Sequence, residues 1–442
     1  MTHRFAPVSE GRPPAFTYRD VRKGVFRGKS EELLCADAIP LPRLAERYGT
    51  PLYVYSGSTI RDRTRMFTRA FRGMGHTVCY SVKANSNLSI LRLLHQLGCG
   101  FDVVSGGELH RVLSVSRKAA RNVVFSGVGK TGEEMLLALR AGILLFNVES
   151  ESELWRLAEC AARARKVAEI ALRVNPDVSA QTHPYISTGL HQHKFGVPIQ
   201  QARKLYASAS ATRYLKVSAV SVHIGSQITD PGPFGEAMQR VADLVSELRG
   251  DGHDIRFIDA GGGLGISYEA SDLTEFSTTL NRYGDSLLRP LRALKVHLLL
   301  EPGRAIVGPA GVLLTRVVCL KQNDGKRFVV TDAAMNDLLR PSLYGAHHEI
   351  IPVKRDSKAD TRKFDIVGPI CETGDFFARD RTLQEVSEGD LVAILDCGAY
   401  GMALSSNYNS RPRAAEVLVD GKSARLIRKR EAYSDLVRQE II

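Results

Sequence analysis

Between about Val78 and Arg304 the sequence alternates eight times between a short apolar run and a longer stretch with helical spacing of its apolar residues. The runs are Val78–Lys83, Phe101–Val104, Val123–Ser126, Leu144–Val148, Glu169–Val174, Val217–His223, Ile255–Asp259 and Val296–Glu301. The stretches between them include Ser89–Leu97, Glu133–Ala141, Glu151–Ala164 and Phe234–Arg249. Apolar runs without alternation read as strands covered on both faces, and amphipathic helices supply that cover. Eight such units predict a TIM-type (β/α)8 barrel rather than an open doubly wound sheet.

After Pro309 the texture changes to short β runs separated by turns: Val312–Leu320, Arg327–Thr331, Glu349–Val353, Phe364–Val367, Leu391–Leu395 and Ala415–Val419. These predict a second, all-β domain, a β-barrel or sandwich. A chain of 442 residues is too long for one ordinary core. The expected division is a flexible arm over residues 1–21, a segment over 22–51 that contributes to the β domain, the barrel over 52–308 and the β domain over 309–442.

Lys and Arg outnumber Asp and Glu by 60 to 48, a diffuse excess that suits solvated faces and anionic ligands. No recognised nucleic-acid module accompanies it. Seven cysteines, scattered and without a C-x-x-C pair, suit a reducing compartment and argue against a disulfide framework or a cysteine-based metal site. The sequence offers no bilayer-length apolar run and no signal-peptide core, so the expectation is a cytoplasmic protein without membrane or nucleic-acid partners and without a metal.

The chemistry concentrates where apolar runs end. Val78-Cys79-Tyr80-Ser81-Val82-Lys83-Ala84-Asn85 closes on one lysine, which at the carboxyl end of a barrel strand could attack an aldehyde as a free amine. The bland reading is a surface lysine opening a loop. Gly261-Gly262-Gly263-Leu264-Gly265 follows another run and would let backbone approach a ligand closely, as a phosphate cradle needs, or would simply serve a tight turn. It fails the dinucleotide fingerprint, because Ile266 stands where the third glycine belongs. His223 is either a core histidine or a ring lying against an aromatic cofactor. Glu301 either pairs with Arg304 or holds a proton on a heteroaromatic nitrogen. A lysine, a phosphate cradle, a stacking histidine and a ring-protonating carboxylate share one explanation, pyridoxal 5'-phosphate.

With these motifs the chain resembles the fold-type III pyridoxal-phosphate decarboxylases, from about Leu33 to the carboxyl end. The resemblance is carried by Tyr80–Asn85, Asp102–Glu108, Thr182–Gly189 with Lys194-Phe195-Gly196, His223–Gln227, Gly261–Gly265 and Glu301–Arg304. It continues through Met335-Asn336-Asp337, Arg340–Tyr344, Cys371–Asp375 and Ala399-Tyr400-Gly401. One departure is Ala334, where the family pattern leads to an expected glycine.

The resemblance implies a role for each position. Lys83 is the Schiff-base lysine, His223 the stacking residue and Glu301 the pyridine-nitrogen partner, with Gly262, Gly263, Gly265, Gly303, Arg304 and Tyr400 in the cofactor grip. Arg304, Arg340, Tyr344, Glu372 and Tyr400 contact substrate, and Cys371 returns a proton after carbon dioxide leaves. The resemblance also implies that the Cys371-Glu372 segment reaches the partner's site, so that a homodimer shares its active sites. Without it, Cys371 reads as a buried small hydrophobe and Arg340 as a solvated loop cation.

The implied reaction is conversion of meso-2,6-diaminopimelate to L-lysine and carbon dioxide, the last step of lysine biosynthesis. Paired arginines suit a substrate with two carboxylates, since a planar guanidinium grips a carboxylate with two hydrogen bonds. The alternatives are a decarboxylase of another basic amino acid or carboxylated polyamine on the same scaffold, a racemase of related fold, and a noncatalytic cofactor-binding regulator.

Overall fold

The computed structural model describes residues 16–20, 32–178, 194–268, 273–356 and 358–442. The chain divides into two compact units: Arg63–Gly265 with Phe276–Ala305, and Ile306–Ile442 together with residues up to Asp62 and Ile266–Glu275.

The first unit is the barrel. Its strands are β1 (His76–Ser81), β2 (Gly100–Val103), β3 (Val123–Phe125), β4 (Leu145–Val148), β5 (Ala168–Asn175), β6 (Leu215–Val222), β7 (Phe257–Asp259) and β8 (His297–Leu300). Each pairs in parallel with the next, and β8 pairs with β1 to close the ring. All eight expected runs are barrel strands. Helices between them are cut by local chemistry: Ser105, Thr131 and Ser150 each accept a backbone N–H in the first turn, and Gly142 ends its helix in the left-handed region at φ 69°.

Inside the barrel, Cys79, Val124, Leu145, Ala171, Ala219 and Leu299 form one apolar cluster. Residues two apart on a strand share a face, so the next inward layer toward the carboxyl ends is fixed by this one. It comprises Ser81, Asp102, Ser126, Asn147, Arg173, Ser221, Asp259 and Glu301, one from each strand or the position following it, and all are buried. An apolar plug thus lies beneath a polar floor.

The second unit is built on Gly311–Asn323, whose first half pairs with Leu391–Ile394 on one side and Leu52–Ser56 on the other. Lys326–Thr331, Thr361–Val367 and Phe376–Gln384 extend the sheet at one end, Ala415–Asp420 and Ser423–Arg428 at the other. A small sheet of Phe16–Asp20, Glu32–Ala36, Ile39-Pro40 and Lys354-Arg355 shares its core: Phe16, Leu34, Val54, Val312, Leu314, Ile351 and Val417 belong to one buried cluster.

Two expected boundaries move. Leu52–Ser56, read as the start of the barrel, is a central strand of the β domain, because its two neighbours supply backbone partners on both edges. Phe16–Asp20, read as part of a loose arm, is a strand antiparallel to Glu32–Ala36 with Phe16 buried. No helix among the described residues is long and apolar enough to cross a membrane.

Candidate active site

Most of the expected residues lie in the segments that follow the barrel strands, next to this polar floor, and Glu301 belongs to the floor itself. Lys83 lies in the single turn Val82–Ala84 directly after β1, where its Nζ donates to Asp102 Oδ2 at 3.1 Å. Its side chain is 38% exposed while that of Asp102 is wholly buried, so the amine is reachable and its counterion is not. Ser81 Oγ also donates to Asp102 Oδ2, at 2.8 Å, and β1–β2 register sets these two residues side by side. Asp102 Oδ1 is buried without a hydrogen-bond partner among the described residues.

Glu301, just after β8, accepts from Ser126 Oγ at 3.3 Å and shares a hydrogen bond with Asp259. Asp259 is held in turn by Asn147 Nδ2 at 2.5 Å, Ser221 Oγ at 3.3 Å and the Gly261 N–H at 3.0 Å. Burial first, then the charges of Asp102 and Asp259, push the Glu301 carboxyl well above its ordinary range, and burial raises Asp259 as well. Two buried carboxyls this close share a proton until a cation arrives. A protonated ring nitrogen is such a cation.

His223, immediately after β6, accepts the Gly262 N–H on Nδ1 at 3.1 Å, which leaves its ring proton on Nε2. Burial, with Arg173 and Lys83 nearby, depresses its pKa well below the usual histidine value. The ring is therefore neutral, which suits the stacking role expected of it.

The glycine run is explained mainly by crowding of neighbouring strand ends. A Cβ at Gly262 would lie 2.1 Å from the Glu301 carbonyl oxygen, and one at Gly263, which has φ 110°, 2.3 Å from that of Gly225. The N–H groups of Gly262 and Gly265 already bond to His223 and to the Ile228 carbonyl, so they serve the loop. The expectation of a phosphate grip rests on Gly263 and Gly303. Arg304, which follows Gly303, donates from Nη2 to Ser226 Oγ at 3.2 Å.

The remaining expected residues lie in the second unit. Arg340 opens the short helix Arg340–Tyr344 and is only 5% exposed, so it is no solvated loop cation. Cys371 is exposed rather than a buried hydrophobe. Its N–H donates to Asn409 Oδ1 at 3.0 Å, and Glu372 beside it accepts from Tyr408 OH at 3.3 Å. Buried Asp375 pins this loop, taking the N–H groups of Met335 and Ile370 at 2.7 and 2.8 Å. Tyr400 holds the left-handed region at φ 58°, strain of a kind that clusters at functional positions. Ala334, the departure from the pattern, still donates to Asp337 Oδ2 at 3.1 Å, so the turn survives. The motif Thr182–Gly189 lies outside the described residues.

Sequence reasoning gave no role to Asp102, Ser126, Asn147, Ser226 or Asp259. Their signal was a polar residue two positions beyond an apolar inward one, or in a strand-end loop, visible only once the inward face is known. Together these residues fit pyridoxal phosphate: an amine for its aldehyde, a buried carboxyl for its ring nitrogen, a neutral imidazole, and a cation with close-approach glycines for its phosphate.

Glu108 on the helix Gly106–Val115 adds a pH-dependent element. Its Oε2 accepts the Val104 N–H at 2.8 Å, yet burial raises its pKa from 4.5 to about 7. Between those values the folded chain keeps a proton that the unfolded chain has lost, so stability falls as pH rises through that window. Glu108→Gln is expected to remove this loss, on the order of 1–2 kcal/mol after allowing for partial exposure. Thermal unfolding should show a larger gain over wild type at pH 8 than at pH 5. An equal difference at both values would contradict the assignment.

The family model for the pyridoxal-dependent decarboxylase pyridoxal binding domain matches residues 57–308. A diaminopimelate decarboxylase of Pseudomonas aeruginosa is 49% identical over 421 residues, covering 95% of this chain and 97% of that one. Among solved structures, diaminopimelate decarboxylase from Helicobacter pylori complexed with L-lysine is 42% identical with TM-score 0.85, over 90% of this chain and 99% of that one. The M. jannaschii enzyme of the same name, also with L-lysine, is 39% identical with TM-score 0.88, over 97% and 98%.

Proposed function

The chain belongs to the pyridoxal-dependent decarboxylases, and from that membership we infer that it converts meso-2,6-diaminopimelate to L-lysine and carbon dioxide. The observation that carries this reading is 49% identity over 95% of the chain to a diaminopimelate decarboxylase, joined to a barrel floor that fits the cofactor. When bound, pyridoxal phosphate supplies an electron-accepting ring that stabilises the carbanion left when carbon dioxide departs.

The residues of this chain do the rest. Lys83 Nζ would hold the cofactor through its aldehyde, with Asp102 and Ser81 beneath it. Glu301 would keep the proton on the ring nitrogen, and Asp259 and Ser126 hold Glu301 in place. The neutral His223 would cover one ring face. Gly263, Gly303, Arg304 and Tyr400 would take the phosphate, with the backbone of Gly262 and Gly265 shaping the loop.

Arg340, Tyr344, Glu372 and Tyr400 are proposed substrate contacts, with Arg304 as the second cation of the site. Cys371 Sγ is proposed to return a proton to the carbon that has lost its carboxylate. Its exposure in a single chain supports a role in a partner's site and hence a homodimer. Seven unpaired cysteines favour a cytoplasmic setting.

Incubation with pyridoxal phosphate and, separately, meso-diaminopimelate, ornithine and arginine tests the substrate. Carbon dioxide and lysine should form from diaminopimelate alone, and preferred release from ornithine or arginine would overturn the reading. Arg340→Lys should lower kcat/KM for diaminopimelate by roughly ten- to a hundredfold, because an ammonium cannot reproduce a planar two-bond grip. Cofactor content should stay at the wild-type level. Unchanged efficiency would confine Arg340 to packing.

A further inference from the structure

Arg340 is held by a group that no part of the reading above uses. Its Nη1 lies 2.8 Å from Nε2 of His348, eight positions later, and its guanidinium carbon sits 4.7 Å from the centre of the Tyr268 ring. His348 is completely buried, and its Nδ1 lies 2.7 Å from the Leu395 carbonyl oxygen. A carbonyl only accepts and a guanidinium only donates. The imidazole proton is therefore on Nδ1, and Nε2 presents its lone pair to Arg340. Tyr268 also meets the imidazole edge-on, with centroids 5.1 Å apart and planes at 71°.

A guanidinium with one N–H committed to a fixed acceptor and one face committed to an aromatic ring has little rotational freedom left. Its fork is aimed before any ligand arrives, and such pre-organisation lowers the ordering cost of a two-bond ion pair. Histidine is suited to this task because its other nitrogen anchors it to the end of the strand Leu391–Ile394. The chain thus spends a wholly buried polar ring on orienting one cation.

We propose that His348 is a positioning residue for substrate recognition, aiming the Arg340 guanidinium at the substrate carboxylate that remains in the product. The proposal rests on the reading of Arg340 as a substrate contact. An ion pair to the departing carboxylate would stabilise the ground state against its loss, so the gripped carboxylate is the retained one. Specificity for a substrate bearing that carboxylate, over a plain diamine, then depends on His348.

The test compares the inhibition constants of L-lysine and 1,5-diaminopentane against diaminopimelate turnover. The two share a chain and both amines, but only lysine carries the carboxylate. In His348→Phe, which keeps a flat ring and removes the acceptor, lysine should bind about tenfold more weakly and the diamine within about twofold of wild type. KM for diaminopimelate should rise with kcat nearly unchanged. His348→Gln, whose amide oxygen reaches the position of Nε2, should recover most of the lysine affinity even if it melts earlier than the phenylalanine variant. Should His348→Phe fail to fold, His348→Asn takes its place, since its shorter amide can keep a bond to Leu395 but not to Arg340. Equal weakening of both ligands, unchanged lysine affinity, or glutamine no better than the acceptor-free variant would overturn the proposal. Arg340→Met, measured in parallel, separates the two levels. A wild-type lysine-to-diamine ratio in Arg340→Met would sink the reading of Arg340, whereas a shifted ratio there with an unshifted one in His348→Phe would sink only the role of His348.

Discussion

Lys83→Ala protein is expected to lose turnover by on the order of ten-thousandfold or more, and to lose every cofactor linkage that borohydride can trap. The side chain stands one turn beyond β1, partly exposed, with its Nζ on the wholly buried Asp102. That placement gives a reachable amine in fixed position, and alanine supplies none. Asp102 would keep the Ser81 hydroxyl at 2.8 Å, so the barrel floor should survive and the loss should not be one of folding. Treating wild type and variant with cofactor and borohydride, then weighing the intact chains and their peptides, reads the linkage directly. A reduced adduct retained in Lys83→Ala would remove Lys83 from the role, whatever happened to turnover.

The barrel was legible because its strands are buried on both faces, which leaves continuous apolar runs separated by stretches of helical spacing. Even so, the run Leu52–Ser56 looks the same and belongs elsewhere, since a central strand of any sheet is covered on both sides. Local sequence cannot say which neighbours do the covering. The missed strands Phe376–Gln384 and Ser423–Arg428 lie at the ends of their sheet, where exposed faces admit Arg, Asp and Ser and dilute the apolar signal.

The site divides in the same way. Lys83, His223, Glu301 and the glycines announced themselves by interrupting or following apolar runs. Asp259 ends such a run too, yet its tie to Glu301 depends on which faces point inward around a closed ring. His348 left no trace at all. One of two adjacent histidines after a short helix is unremarkable until the backbone of Leu395 and the ring of Tyr268 come to lie around it.

Mixing inactive Lys83→Ala and Cys371→Ala proteins should restore about one quarter of the wild-type sites, if each site takes its lysine from one chain and its cysteine from the partner. In a two-fold dimer the mixed species holds one doubly damaged site and one intact site. Random exchange of equal amounts makes half the dimers mixed, so about one site in four is native. The expectation draws on the exposed position of Cys371 in a single chain, on a loop pinned by Asp375 and therefore able to offer a thiol to another molecule without being remade. Recovery must require exchange: brief dissociation and reassociation should produce it, and simple mixing below the exchange rate should not. Differently tagged chains establish that mixed dimers have formed. If both residues served a site within one chain, the mixed dimer would contain no intact site, and activity would stay at the average of the parents. That result, with mixed dimers demonstrated, would end the shared-site proposal while leaving Lys83 and the cofactor where the first experiment puts them.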